Sequence, residues 1–264
     1  MNHAITLSRL RACAAAAAVL VLSGCASTAN NPQDPFESYN RAMFSVNDAV
    51  DRAVLKPVAT GYKNVVPGFA QTGVSNFFGN LSDAWSSVNN LLQGKGEEAG
   101  TDFGRFALNS TFGIFGLLDI ASEAGMQKHD EDFGQTLGKW GVPSGPYLIL
   151  PLLGPSTVRD TAALPADFGG DIWKYKEPHN WRNIGAAIRV VDTRASLLDA
   201  SSLLEEAALD RYEFLRDGYL QRRQSQVYDG DVPRQPNVDE DDDGEASSNT
   251  QVVPTPVSTE KPQN

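Results

Sequence analysis

One thiol in this chain stands where chemistry is expected of it. Leu22-Ser23-Gly24-Cys25 places two small residues, which suit a narrow peptidase groove, directly before a cysteine. The Cys25 sulfur can take a diacylglyceryl group through a thioether, and cleavage before it frees an α-amine for a further acyl chain. The upstream sequence fits that chemistry. Arg9 and Arg11 form a positive region, and Ala12 to Leu22 is an unbroken small or apolar run of 11 residues. That is a signal-peptide length, short of the ~20 residues of a spanning helix. Residues 1–24 therefore read as a lipoprotein signal, Cys25 as the lipidated N-terminus, and 25–33 as a linker from the anchor. Several acyl chains, at ~0.8 kcal/mol per buried CH2, make a stable anchor. Cys13 leaves with the signal, so the mature chain holds one cysteine and no internal disulfide or thiolate metal site.

Other reactive constellations are missing. The sequence has no G-x-S-x-G elbow, no phosphate-binding P-loop and no G-x-G-x-x-G. Its histidines are His3, His129 and His179, and the first belongs to the signal. His129-Asp130-Glu131-Asp132 offers one nitrogen donor in an acidic run, which suits a solvated loop better than a metal site. His179, between Pro178 and Trp181, suits a helix start. Arg159-Asp160, following Pro155, fits a buried pair, a helix start or a headgroup contact, and reads best as a structural pair that pins a loop. No catalytic residue, metal or cofactor is expected.

The elements that would carry these residues are helical. Asp34-Pro35-Phe36-Glu37 has the form of a helix start, with Asp34 as N-cap, Pro35 first and Glu37 third. Phe36, Tyr39, Met43, Val46, Val50 and Ala53 follow on one face, and Lys56-Pro57 should stop the helix. A second stripe runs from Val74 through Phe77, Phe78, Leu81, Trp85, Val88, Leu91 and Leu92 to Gly94. Asn76, Asn80, Asp83 and Asn90 lie on its other side. A third helix over about 97–109 carries Phe103 and Phe106, with Arg105 on another side. In the apolar stretch 110–122, Gly113 and Gly116 would admit a close backbone. Trp181, Ile184, Ile188, Val191, Ala195 and Leu198 form another face. Ser202 and Glu205 suggest a capping box opening a last helix with Tyr212, Leu215 and Tyr219. Residues 129–178 are Gly- and Pro-rich and read as irregular, with a short helix opening near 156–160. Such stripes mark either a core face or a face lying in a membrane interface, and periodicity does not separate the two.

Charge narrows the partners. The chain carries 33 acidic against 22 basic residues. An acidic body disfavours nucleic acid and polybasic attraction to anionic lipid. The end of the chain, from about Asn237, is acidic and polar without an aromatic, so 229–264 is expected to be a disordered tail.

Seven blocks then stand in a recognisable order: DPFESYNRAMFSVND (34–48), LKPVATGYKNVVP (55–67), SNFFGNL (75–81), VNNLLQGK (88–95), RFALNSTFGIFGLLDIA (105–121), EDFGQTLGKWGVPSGPYLILPLLGPSTVRD (131–160) and TRASLLD (193–199). This order resembles the MlaA/VacJ family of outer-membrane lipoproteins. The resemblance implies an all-α domain over 34–228, a single ring-like bundle of amphipathic helices with a long irregular segment and few or no strands. It implies a seat in the inner leaflet of the outer membrane beside a trimeric porin. It also implies an amphipathic channel that passes misplaced phospholipid to a periplasmic, MlaC-like carrier without hydrolysis. Ala26, rather than Asp, after the anchor agrees with sorting to the outer membrane. The competing function is a structural lipoprotein that binds a porin without moving lipid. For a channel, Asn47, Asn76, Asn80, Asn89 and Asn90 are the candidates to line the lipid route, since amides are polar without fixed charge. The segment Tyr147, Leu148, Ile149, Leu150, Leu152 and Leu153, broken by Pro146 and Pro151, is expected to be buried against the helices with only its edge meeting lipid. Unsatisfied backbone in hydrocarbon costs several kcal/mol per group.

Overall fold

The computed structural model describes residue 31 and residues 33–232. The signal segment, Cys25 and the acidic stretch beyond 232 lie outside the described residues. Helix α1 spans Glu37–Val50, a π-helical turn Asp51–Leu55, and α2 Lys56–Val65. The chain therefore does not stop at Lys56-Pro57. Pro57 has no N–H to give the i−4 carbonyl, and the turn before it widens so that the Lys56 N–H reaches the Asp51 carbonyl instead. α3 runs Gly68–Leu92, α4 Gly96–Phe112 and the single turn α5 Ile120–Glu123. The stretch 129–178 is more ordered than its composition suggests. It holds α6 (Phe133–Lys139), strands β1 (Tyr147–Leu150) and β2 (Gly154–Thr157), α7 (Val158–Gly170) and a 3-10 turn, Ile172–Tyr175. Thr157 caps α7 by accepting the Asp160 N–H, as the Ser156–Asp160 reading expects. α8 is His179–Ser196, α9 Leu198–Ala207 and α10 Arg211–Val227.

Two caps differ from expectation. Asp34 does not cap α1, whose N-cap is Phe36. Its carboxylate is buried instead and takes hydrogen bonds from Asn40 Nδ2 at 2.8 Å, Tyr212 Oη and Arg216 Nη1. Ser202 sits inside α9 and bonds the Asp199 carbonyl, so it opens no helix. Asp210 caps α10, accepting the Tyr212 and Glu213 N–H groups.

Contacts between elements close a circuit: α1 on β1, β1 on β2, β2 on α10, α10 on α6, α6 on α3, α3 on α8, α8 on α2, and α2 back through the π turn to α1. The apolar core is small and sits at the hairpin, where Tyr147, Ile149 and Tyr212 pack together. The body also runs past residue 228. Asp229 pairs with Lys95 and Lys139, and the Asp231 N–H bonds the Tyr228 carbonyl.

Candidate functional site

The proline-broken segment 146–155 is a hairpin, pairing Tyr147 with Thr157 and Leu150 with Gly154. Its outer edge is satisfied by two asparagines of α1. Asn40 gives Nδ2 to the Tyr147 carbonyl (3.0 Å) and accepts the Ile149 N–H (2.8 Å). Asn47 does the same to the Leu150 carbonyl (2.9 Å) and the Leu152 N–H (2.8 Å). Seven helical residues advance ~10.5 Å and three strand residues ~10 Å, so amides at i and i+7 fall opposite successive sites on the strand edge. Each side-chain amide thus stands in for a neighbouring peptide. Tyr147 and Ile149 point into the core, while Leu148 and Leu150 are half-buried. Leu152, with φ at 62°, and Leu153 are 73 % and 60 % exposed at the tip. Against the expectation of burial with only an edge exposed, Tyr147 and Ile149 are buried, whereas Leu152 and Leu153 stand out at the tip. A two-strand hairpin buries one face of β1, and its turn must leave the body.

That tip borders a half-open cavity of about 660 Å3. Its wall combines Phe44, Leu153, Leu204 and Leu215 with Asp51, Arg189, Arg194, Glu205 and Arg211. Arg194 grips Asp51 through Nε and Nη2, at 2.6 and 2.9 Å, and this pairing holds the Asp51 carboxyl below its usual range. A second cavity of about 420 Å3 lies among α3, α6 and α7. It is acidic, with Asp130, Asp167 and Asp171 on its wall beside Trp85. Burial raises the Asp167 carboxyl, although the Trp85 indole N–H (2.9 Å) and the Phe133 N–H (2.8 Å) bond to it. Arg189 lines both cavities.

The five candidate amides line neither cavity. Asn76 bonds the Leu117 carbonyl at 3.2 Å. Asn80 reaches Ser110 Oγ at 2.9 Å and fills the space beside Gly116, where a Cβ would come within 2.6 Å of its amide. Asn89 links the Trp85 carbonyl to Thr136, and Asn90 donates to Asp102 at 2.8 Å. With Asn47 on the hairpin, all five are engaged in holding elements together. A helix-surface position does not say which surface turns inward, and here the amide face is the packed one.

The same inversion holds for the charges. Arg105, on another side of α4 from Phe103, is 1 % exposed and donates to Asp83, Asp119, Ser122 and the Met126 carbonyl. Arg223 bridges Asp132 and Asp160, which also binds Tyr219 and Arg159. The Arg159-Asp160 pair is thus structural, as its position beside the loop suggested. His129 bonds Asp102 at 2.9 Å, and no group of three or more His, Cys, Asp or Glu suited to a metal occurs among the described residues. Outside, the large apolar groups are bare: Phe69 is 82 % exposed, Phe115 78 %, Phe112 72 % and Phe103 62 %. No helix among the described residues is long and apolar enough to cross a membrane. Asn40, Asp34, Arg105, Arg189 and Arg223 were not singled out as site residues in the sequence. The i, i+7 amides of α1 were its one local signal, and the ion pairs join residues too distant in the chain to leave any.

Comparison with known proteins agrees with this architecture. A family model described as MlaA lipoprotein matches residues 32–226. The chain is 35 % identical over 238 residues to the intermembrane phospholipid transport system lipoprotein MlaA of Escherichia coli (strain K12), covering 87 % of this chain and 93 % of that protein. It is 34 % identical over 221 residues to the protein of the same description from Haemophilus influenzae, covering 80 % and 88 %. A solved chain from work described as "Structural basis for maintenance of bacterial outer membrane lipid asymmetry" superposes with a TM-score of 0.65 at 36 % identity, over 74 % of this chain and 98 % of that one.

Proposed function

This chain belongs to the MlaA lipoprotein family, and from that we propose that it is the lipoprotein of an intermembrane phospholipid transport system that maintains outer-membrane lipid asymmetry. The single observation that carries the reading is the inverted distribution of polarity: amides and ion pairs buried, phenylalanines bare. In water such a rim is a liability. In one leaflet of a bilayer it is a seat, because its side chains meet acyl tails while no backbone polar group needs to face them. The anchor at Cys25 would hold the body at the inner leaflet of the outer membrane.

Within that seat the two cavities, which share Arg189 in their walls, would form a route for a molecule that is apolar at one end and charged at the other. A misplaced phospholipid would enter past the hairpin tip and leave toward a periplasmic carrier, with a trimeric porin as neighbour. The amides Asn47, Asn76, Asn80, Asn89 and Asn90 support the wall of that route from behind. The protein would cleave nothing. Incubation with labelled phospholipid should release neither lysolipid nor fatty acid, and release of either would overturn this part of the proposal. The direct test is transfer of labelled phospholipid from liposomes holding this protein and a porin to a soluble carrier. Transfer that persists unchanged without this protein rejects the channel role and favours a structural one.

A further inference from the structure

The larger cavity is apolar with an excess of arginine, and the smaller is acidic. We propose that Arg189, which lines both, holds a zwitterionic aminophospholipid by its headgroup. The phosphate would lie on the guanidinium and the ammonium against the carboxylates of the smaller cavity. This inference rests on the lipid-passage reading above and names the class of lipid that the passage takes.

The arginines of the larger cavity differ in freedom. Arg194 gives Nε and Nη2 to Asp51 and Nη1 to Ser201. Arg211 is bound to Asp48 at 3.0 Å and lies over the Phe44 ring. Arg189 holds Asp171 by one N–H at 3.0 Å and Ser82 by another at 3.3 Å. A guanidinium has five donors in a planar fork, so its remaining N–H groups are open to a phosphate oxygen. Its side chain is 38 % exposed, so a ligand reaches it without opening the packed interior. The Phe78 ring lies 5.4 Å from the guanidinium carbon, within cation–π range. A phosphodiester is the anion that such a fork binds best, by paired hydrogen bonds.

What lies beyond Arg189 selects the rest of the headgroup. When phosphate takes the remaining N–H groups, Asp171 shares the guanidinium charge with it, and Asp130 and Asp167 stand on the same wall. A primary ammonium answers those carboxylates. A purely anionic headgroup would meet them uncompensated and be repelled. The order along the route is therefore tails against leucines, phosphate at Arg189, ammonium beyond.

The test uses the full lipidated protein in detergent, offered equal amounts of phosphatidylethanolamine, phosphatidylglycerol and diacylglycerol, with retained lipid read by native mass spectrometry. Wild type should retain phosphatidylethanolamine at least threefold over phosphatidylglycerol, and diacylglycerol least. Arg189→Gln should lower phospholipid retention about tenfold, to the diacylglycerol level, and Arg189→Lys should fall between. Asp171→Asn keeps an oxygen to cap the 3-10 turn and should erase the preference by lowering phosphatidylethanolamine to the phosphatidylglycerol level. Equal retention by wild type and Arg189→Gln overturns the phosphate site. Equal retention of the two phospholipids by wild type overturns the headgroup selection, and in both cases lipid passage itself stands. A wild type that retains none of the three overturns the passage reading as well. Circular dichroism identifies a variant that has not folded, and the Lys and Asn variants then decide.

Discussion

Arg105 shows most clearly how single residues hold this protein. It brings one buried cation to Asp83 and Asp119, from a helix whose other side carries the bare Phe103. Replacing it with Met would keep the bulk but leave Asp119 without its cation and Asp83 with Lys128 alone. Breaking a buried pair in this way costs about 3–5 kcal/mol, and urea unfolding of Arg105→Met should show a loss of that order. Asp119 gives the same network a pH signature. Burial would raise its carboxyl, but bonds from Ser122, Asn109 and Arg105 outweigh it and hold the group at about 2, against 3.8 ordinarily. The folded form thus binds the proton more weakly than the unfolded one. Its contribution is complete above 3.8 and is lost as pH falls toward about 2. Thermal melts across that window should decline in wild type, and Asp119→Asn should flatten the Asp119 part of the decline. An unaltered slope in the variant would refute the assignment.

Between elements, glycine sets how closely helices approach. A Cβ on Gly185 of α8 would lie 2.2 Å from the Trp173 ring, which is itself packed edge-on against Phe77 and Phe78. Gly185→Ala should therefore destabilise by about 1–3 kcal/mol through overpacking. Gly218→Ala, in α10 with nothing within 4 Å, should gain up to about 1 kcal/mol from helix propensity. Paired melting curves would check both signs. Most helices could be read from the sequence because a period of 3.6 identifies an amphipathic helix whichever side is buried. That same symmetry concealed the site. The stripe of α3 and the opposing Asn80, Asp83 and Asn90 were visible, but which of them faced inward depends on the surrounding solvent, and periodicity carries no trace of that. The hairpin escaped notice because β1 is apolar on both faces. Its burial alternates, Tyr147 and Ile149 in and Leu148 and Leu150 half out, while its composition does not. The cavities were out of reach, since Arg189 meets Ser82 and Asp171 only through the closed circuit of contacts.

For the whole molecule, stability and membrane binding should separate. Phe69, Phe103, Phe112 and Phe115 contribute little to the interior, so serine at all four should leave the melting temperature near that of wild type. Burying one such side chain is worth about 1.5–3 kcal/mol. Restoring them one at a time should therefore recover vesicle binding by roughly tenfold or more per residue, measured by flotation in a Cys25→Ser background that removes the acyl anchor. Binding that ignores these residues would remove the rim from the membrane. The polar interior has one more consequence. Most of the largest fully buried side chains are charged or amide-bearing, Arg105, Asn40, Asn89, Asn90, Asp83 and Asp102 among them. Unfolding then hydrates polar surface, which lowers heat capacity by about 0.26 cal/K/mol/Å2, where apolar surface raises it by about 0.45. The heat-capacity increment of unfolding should thus fall below the ~12–15 cal/mol/K per residue of ordinary domains. Stability would curve only gently with temperature, so a cell that grows cold would keep this lipoprotein folded at nearly the margin it has when warm.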